Sequence, residues 1–336
     1  MATPNSNANI AGIKLTLEDG TDLAEKINPR LLELTLNEKR GDEADDLQIT
    51  LQNADGKLAV PSTGQYLRLS LGWISGENTP LGLVDKGRFK VDEVEQSGPP
   101  DVITIRARSA DLGGAYPKRR SHAWHETTLG ALLGEIAARN GATASIHPDL
   151  AGEAIDAIEQ HNKSDMAFVQ DLGRRYDALA TWKDKRLVFL PIGSATNASG
   201  QPIAALILTR QDGWTWRYLR ADRGAADGVE AQYHDDRTGE RKTVKEGGDN
   251  PQRLKHVYSS KAHAQRAAMS NLAKRNRGKD SFELYLAVAD PRLLPNAAVS
   301  LQGWGDAVAG VNWLVESVET TFGAGGMRQR VKFEGA

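Results

Sequence analysis

The 336-residue chain has no cysteine, which removes disulfides, thiolate metal sites and cysteine nucleophiles together and leaves packing as the source of stability. A dominant charge is missing too: 42 Lys and Arg against 44 Asp and Glu leave a formal net charge of -2. No global field therefore draws the protein toward nucleic acid or acidic lipid. Long apolar runs are lacking, so no segment reads as a membrane-spanning helix, and the polar residues 1–9 do not read as a secretory leader. Synthesis and residence in the cytosol are the expectation. No Walker loop, dinucleotide-binding glycine fingerprint or nucleophile elbow occurs.

What is present is a repeat. Ser70-Leu71-Gly72-Trp73 followed by Phe89-Lys90-Val91-Asp92-Glu93-Val94-Glu95 returns as Ser300-Leu301-Gln302-Gly303-Trp304 followed by Trp313-Leu314-Val315-Glu316-Ser317-Val318-Glu319. In each copy the apolar parity of the second strand breaks, between Val91 and Val94 and again between Val315 and Val318. Strict alternation would place the next apolar residue two positions on, so a step of three predicts a bulge that turns the strand. At this length two or three domains are expected, and a duplicated β-unit points to a structural adapter.

Between residues 13 and 110, short alternating strands separated by turn signals predict an antiparallel barrel or a sandwich. The texture changes at Tyr116-Pro117-Lys118-Arg119-Arg120, read as a basic link. A helix capped by Thr127 or Thr128 runs to about Asn140 and stops at Gly141, with Leu129, Leu132, Leu133 and Ile136 on one stripe. A second begins at Ser164 and buries Phe168, Val169, Leu172 and Tyr176, and a hairpin turns around residues 183–185. Strand alternation resumes over 204–209, 214–219 and 229–234. Polar, Gly-rich residues 237–251 read as an exposed mobile loop. A third, basic-tailed helix spans about 260–276 with Ala264, Ala267, Ala268 and Leu272 inward. The fold class is mainly β with an α+β insert: residues 1–115, a helix-plus-hairpin module over 116–200, and 201–336.

Candidate chemistry is thin. His122, His125 and Glu126 lie within five positions, but not at the i, i+4 spacing of a helical zinc pair, and read as linker. His234-Asp235-Asp236 lacks an assignable third partner. The carboxylates of 42–46 lack the central Gly of a calcium loop and read as a solvated hairpin tip. Trp214, Trp216 and Tyr218 suggest core or subunit-interface packing over a sugar platform. The basic tail of Lys274, Arg275, Arg277 and Lys279 reads as helix-end complementation. No catalytic, cofactor-binding or metal-binding residue is assigned, and no cofactor is expected.

Lys39-Arg40-Gly41-Asp42-Glu43-Ala44-Asp45-Asp46-Leu47 with Leu51, Gly98-Pro99-Pro100, Ser121-His122-Ala123-Trp124 with Thr128-Leu129, and Gln160 with Ser164-Asp165 and Phe168 together resemble the phage late control D proteins. These form the central hub of contractile-tail baseplates, and the last stretch is similar to type VI secretion spike proteins. The resemblance covers nearly the whole chain. It implies two β-barrels like tail-tube subunits, 1–115 and 201–336, joined by the smaller α/β module, in a homotrimeric virion component assembled in the bacterial host cytoplasm. A hub of this kind joins a trimeric central spike, on a separate chain, to a hexameric tail tube and nucleates tube assembly; tape-measure and baseplate-wedge proteins are further candidate partners. Neither specific nucleic-acid binding nor stable membrane insertion is implied. The residues 42–46 are a candidate contact for the next tube ring. Glu319 stands where many relatives have His, which puts any role of that His in doubt. The competing readings are a tail-associated cell-wall hydrolase or protease, and a transcriptional regulator.

Overall fold

The computed structural model of the protein describes residues 8–336 apart from 42–43, 60, 110–117, 184, 222–225 and 236. The first half comprises β1 (Ile10–Leu17), α1 (Ala24–Ile27), β2 (Leu31–Lys39), β3 (Asp46–Gln52), β4 (Tyr66–Ser75), β5 (Gly82–Ser97) and β6 (Val102–Arg108). Their order in the sheet is β1-β4-β5-β6-β3-β2, every neighbour antiparallel. Period-two alternation sends Leu34, Leu36, Leu47, Ile49, Leu69, Phe89 and Ile103 to one face, where they form a closed apolar core. Gly72 permits the tightest approach in this half: a Cβ there would lie 1.9 Å from the Gly82 carbonyl oxygen.

The middle module holds β7 (Arg119–Thr128), α2 (Leu129–Arg139), β8 (Thr143–Ile146), α3 (Pro148–Ala151), β9 (Ala154–Ser164), α4 (Asp165–Tyr176), β10 (Ala178–Lys183) and β11 (Arg186–Pro191). The segment 118–126, expected to be a link, is instead a strand: β7 pairs with β9 along its length, and Trp124 turns into the module core. Its alternation was hidden because most of its outward positions carry Arg or His. Thr128 and Ser164 cap their helices as expected, accepting from the Ala131 and Ala167 amides at 3.2 Å each. Ser164→Ala should therefore cost only about 1 kcal/mol in chemical denaturation. A loss of several kcal/mol would mean that the hydroxyl serves more than the cap.

The second half contains β12 (Leu206–Thr209), β13 (Gly213–Arg220), β14 (Gly228–Asp235), β15 (Glu240–Gly247), β16 (Pro251–Tyr258), α5 (Lys261–Arg277), β17 (Asp280–Leu286), β18 (Ala298–Gln302), α6 (Asp306–Ala309), β19 (Trp313–Gly323) and β20 (Gly326–Gly335). Its main strands run β12-β18-β19-β20-β17-β13, the order of the first half strand for strand. The two halves differ in one pairing sense, since β12 lies parallel to β18 where β1 is antiparallel to β4.

The bulges agree as well. β5 slips against β6 between Val91 and Glu93, and β19 against β20 between Val315 and Ser317, which are the breaks the sequence predicts. A further matched pair was not legible: β2 slips against β3 between Leu31 and Glu33, and β13 against β17 between Gly213 and Thr215. The β2–β3 connection is only residues 40–45, whereas the equivalent connection between β13 and β17 carries β14, β15, β16 and α5. These form a small sheet, Val229, Ala231 and Tyr233 packing under Ala264 and Ala268. Residues 237–251, expected to be a mobile loop, supply β15 paired to β14. Charged residues on both of its faces conceal the alternation.

The halves are not separate sheets. β2 pairs antiparallel with β19 from Lys39 opposite Ser317 to Glu33 opposite Gly323, joining both into one twelve-stranded sheet.

Candidate assembly interface

The β2–β19 junction shows how this fold binds its own kind. Ala289 and Met327 of the second half sit in the first half's core with Leu34 and Leu36, and Phe322 packs against them. The Trp73 indole, from the repeated Gly-Trp, donates to the Ala289 carbonyl at 2.7 Å. Beside the junction Glu38 stands where alternation after Leu34 and Leu36 calls for an apolar side chain. Its carboxylate meets the Lys86 ammonium at 2.8 Å with both side chains out of solvent. Burial pushes the Glu38 pKa up, outweighing the attraction of Lys86. Glu319 lies opposite Asn37 across the junction, 3.7 Å from Arg330.

Charged contacts bind the module and the inserted helix to this frame. Asp45 accepts from the Lys39 amide and meets Lys183 of β10 at 2.5 Å. It is buried, so at Asp45 the expectation of a solvated tip fails; Asp42 and Glu43 lie outside the described residues. Arg277 holds Asp177 through a fork, with the Nη1 bond at 2.6 Å, and lies 3.3 Å from Glu334, which also pairs with Arg40. Lys274 donates to the Arg174 carbonyl, and Arg275 to Gln252 and the Ala226 carbonyl. Lys274, Arg275 and Arg277 lie in the last turn of α5, where they complement the helix end as expected, and they also clamp the helix to other elements. The Gln160, Ser164, Asp165 pattern is also a fastening: the buried Asp165 carboxylate accepts from Asn140 at 2.8 Å and Gln160 at 2.9 Å, with Arg139 at 3.3 Å.

The groups considered for chemistry are dispersed. His122 approaches Glu135 at 3.6 Å, and Asp235 bonds Lys242 at 2.5 Å, which holds its carboxyl below the usual range; Asp236 lies outside the described residues. Among the described residues no three His, Asp or Glu side chains gather as a metal site, and no helix is long and apolar enough to cross a membrane.

Two groups of exposed apolar side chains lie at the ends of the large sheet. On β13 and its neighbour β17, Trp214 is 74% exposed and Trp216 42%, with Leu219 and Tyr285 beside them. The bulge leaves Trp214 out of the ladder that pairs Trp216 and Tyr218 with β17. Trp216 stacks on Phe282 by one face and Tyr218 meets Trp313 edge-on. At the opposite end of the sheet Ile10, Ile74, Leu81 and Leu83 are exposed on β1, β4, β5 and the β4–β5 connection. Exposed aromatic and aliphatic side chains at a sheet edge have the character of surfaces that bind proteins.

Comparison with known proteins agrees with this geometry. The profile of the phage tail baseplate hub family matches residues 25–326. The chain is 34% identical to a probable baseplate hub protein of Escherichia phage 186, over 95% of its own length and 92% of the relative's. Its fold is similar to the 43 kDa tail protein of a Shewanella oneidensis prophage, at TM-score 0.67 and 16% identity, covering 96% of this chain and 98% of that one. It is also similar to a type VI secretion system component of E. coli, at TM-score 0.57 and 13% identity, covering 91% and 74%. With two β halves of one strand order, a helix-bearing module between them and this match along its length, the chain belongs to the phage tail baseplate hub family and is a structural protein of the tail.

Proposed function

We propose that three copies of this chain form a ring that adapts the threefold spike to the sixfold tail tube and nucleates the tube. The observation that carries this is the duplication itself: two halves with one strand order and matching bulges. Three two-unit chains present six similar units around an axis, so one face meets a sixfold ring while the module and the β14–β16 insertion keep the other threefold. The units are residues 1–115 and 201–336, with 116–200 as the part that breaks the sixfold likeness. The work is geometric and uses no catalytic group, cofactor or metal; the carboxylates near the junction serve as fastenings. The assembled ring belongs to the virion baseplate and is built in the host cytoplasm.

The test is the mass of the purified full chain, alone and with its trimeric spike protein, together with electron microscopy of the particles. A trimer with six similar lobes on one face is the expected result. A monomer at high concentration, both alone and with the spike, overturns it.

A further inference from the structure

The repeat makes it possible to read a contact between chains from one within the chain. The ladders fix residue equivalence: Val91 and Glu93 of β5 match Val315 and Ser317 of β19, because each bulge falls there. Following β6 and β20 to β3 and β17, Ile49 matches Leu284, so Leu34 of β2 matches Trp216 of β13 and Leu36 matches Tyr218.

With that equivalence the two free edges become conspicuous. From Ser317 to Gly323 the outer edge of β19 is taken by β2. The same edge of β5, from Glu93 onward, pairs with nothing among the described residues; β4 stops at Lys90 and β6 lies on the other side. Likewise β2 has β3 on one side and β19 on the other, whereas among the described residues β13 has β17 alone. Exposure follows the pairing. Thr320 is 0% exposed, yet its equivalent Gln96 is open; Leu34 is 0% exposed, yet Trp216 is 42%. Each half thus carries the same two edges. Within one chain only one of the two possible junctions is made.

We infer that a second copy of this chain lays its β13 antiparallel on β5 in the register that β2 adopts on β19. Transposed residue by residue, Arg220 stands opposite Val94, Leu219 opposite Glu95, Tyr218 opposite Gln96, Arg217 opposite Ser97 and Trp216 opposite Gly98. Side-chain volume fits the transposition. Within the chain Leu34 faces Phe322; between chains the large Trp216 faces Gly98, which has no side chain, and has the rings of Pro99 and Pro100 to cover it. The pairing ends there, because proline has no amide to donate. Arg217 has no ion pair among the described residues and comes diagonal to Glu95. A head-to-tail contact of this kind continues from copy to copy and closes when the six junctions, three within chains and three between, complete one turn. This rests on the threefold reading above only for the number of copies; the strand pair and its register stand on the repeat.

The absence of cysteine gives a clean test in the full-length protein. Directly opposed residues have Cα atoms about 4.5 to 5.5 Å apart, within disulfide range. The double variant Ser97→Cys with Arg217→Cys, exposed to dissolved oxygen, is expected to give a reducible ladder ending at three chains. Each single variant should stay uncrosslinked by itself, and an equimolar mixture of the two should give one covalent heterodimer. Gln96→Cys with Arg217→Cys puts the thiols on opposite faces and should not link. A trimer by mass photometry in which Ser97→Cys with Arg217→Cys fails to link, or in which the Gln96 pair links as well, overturns this register and leaves the threefold hub standing. Persistent monomers, alone and with the spike, overturn both.

Discussion

Replacing Lys86 with Met is expected to cost about 3 to 5 kcal/mol of folding stability at neutral pH, because the Glu38 carboxylate is left buried without its cation. The two side chains are among the most enclosed charges in the molecule, and neither reaches water in compensation. The sign of the pH dependence follows from Glu38. Burial raises its pKa in the folded protein, so the folded state holds this proton more tightly than the unfolded chain does. Stability linked to that proton is fully present below the ordinary carboxylate range and is lost as pH rises through the raised folded value. Removing Lys86 raises that value further, so the penalty of Lys86→Met should shrink as the pH is lowered toward that range. Combining Lys86→Met with Glu38→Leu should restore most of the loss, since an apolar pair of similar volume needs no desolvation of charge. A urea double-mutant cycle at two pH values measures all of this. A single-variant loss below about 1 kcal/mol, or a double variant no better than either single, would show that the pair is not the isolated buried unit described.

Glu38 also shows where reading the sequence works and where it stops. In Leu34, Leu36, Glu38 the parity is visible, and an acid at the third inward position is a local violation that only a distant cation can explain. Lys86, its partner, is separated from it by two intervening strands of chain, and nothing in the spacing links them. The bulges at Val91 and Val315 were legible because the parity break falls among apolar residues. The matched bulge at Trp214 was not, because three aromatics in five positions read as one face. β7 and β15 were missed for a related reason: their exposed positions are so strongly charged that period two disappears into a polar run. The joining of the halves through β2 and β19 is a long-range pairing that no short-range signal encodes. It becomes readable in retrospect through the internal repeat, since two similar units on one chain carry equivalent edges that can meet.

The insertions are where the two halves differ most. The β2–β3 and β13–β17 connections join equivalent strands, yet the first is only residues 40–45 and the second carries a sheet and a helix. That helix is fixed to the module: Ser270 donates to the Arg174 carbonyl at 3.0 Å, Arg266 meets Glu153 at 2.5 Å, and Arg277 holds Asp177. The module and the insertion therefore act as one body tied to the second half, while Asp45 with Lys183 ties the module to the first. The likeness of the two halves is kept in the strands and broken in what hangs from them.

The module has its own apolar core, and Phe168 is its most informative residue. Its ring lies parallel to that of Trp124, with centroids 5.4 Å apart, and both belong to the cluster that includes Leu132, Ile136, Leu172 and Phe189. The sequence placed Phe168 between its helix and the hairpin; the structure adds the β7–β9 ribbon, whose Trp124 is held in turn by a 2.7 Å bond to Glu135. Truncation to Ala removes the ring from a site enclosed on every side, so Phe168→Ala should cost about 3 to 5 kcal/mol. Phe168→Leu keeps most of the apolar volume and loses mainly the stacking, and should cost about 1 to 1.5 kcal/mol. Ser164→Ala, on the same helix one turn earlier, supplies the internal scale: a lost cap against a lost core side chain. Guanidinium denaturation of the three variants should rank Phe168→Ala well beyond the other two. Equal, small losses would place Phe168 at a surface, and the parallel rings would then contribute nothing to holding the helix on the ribbon.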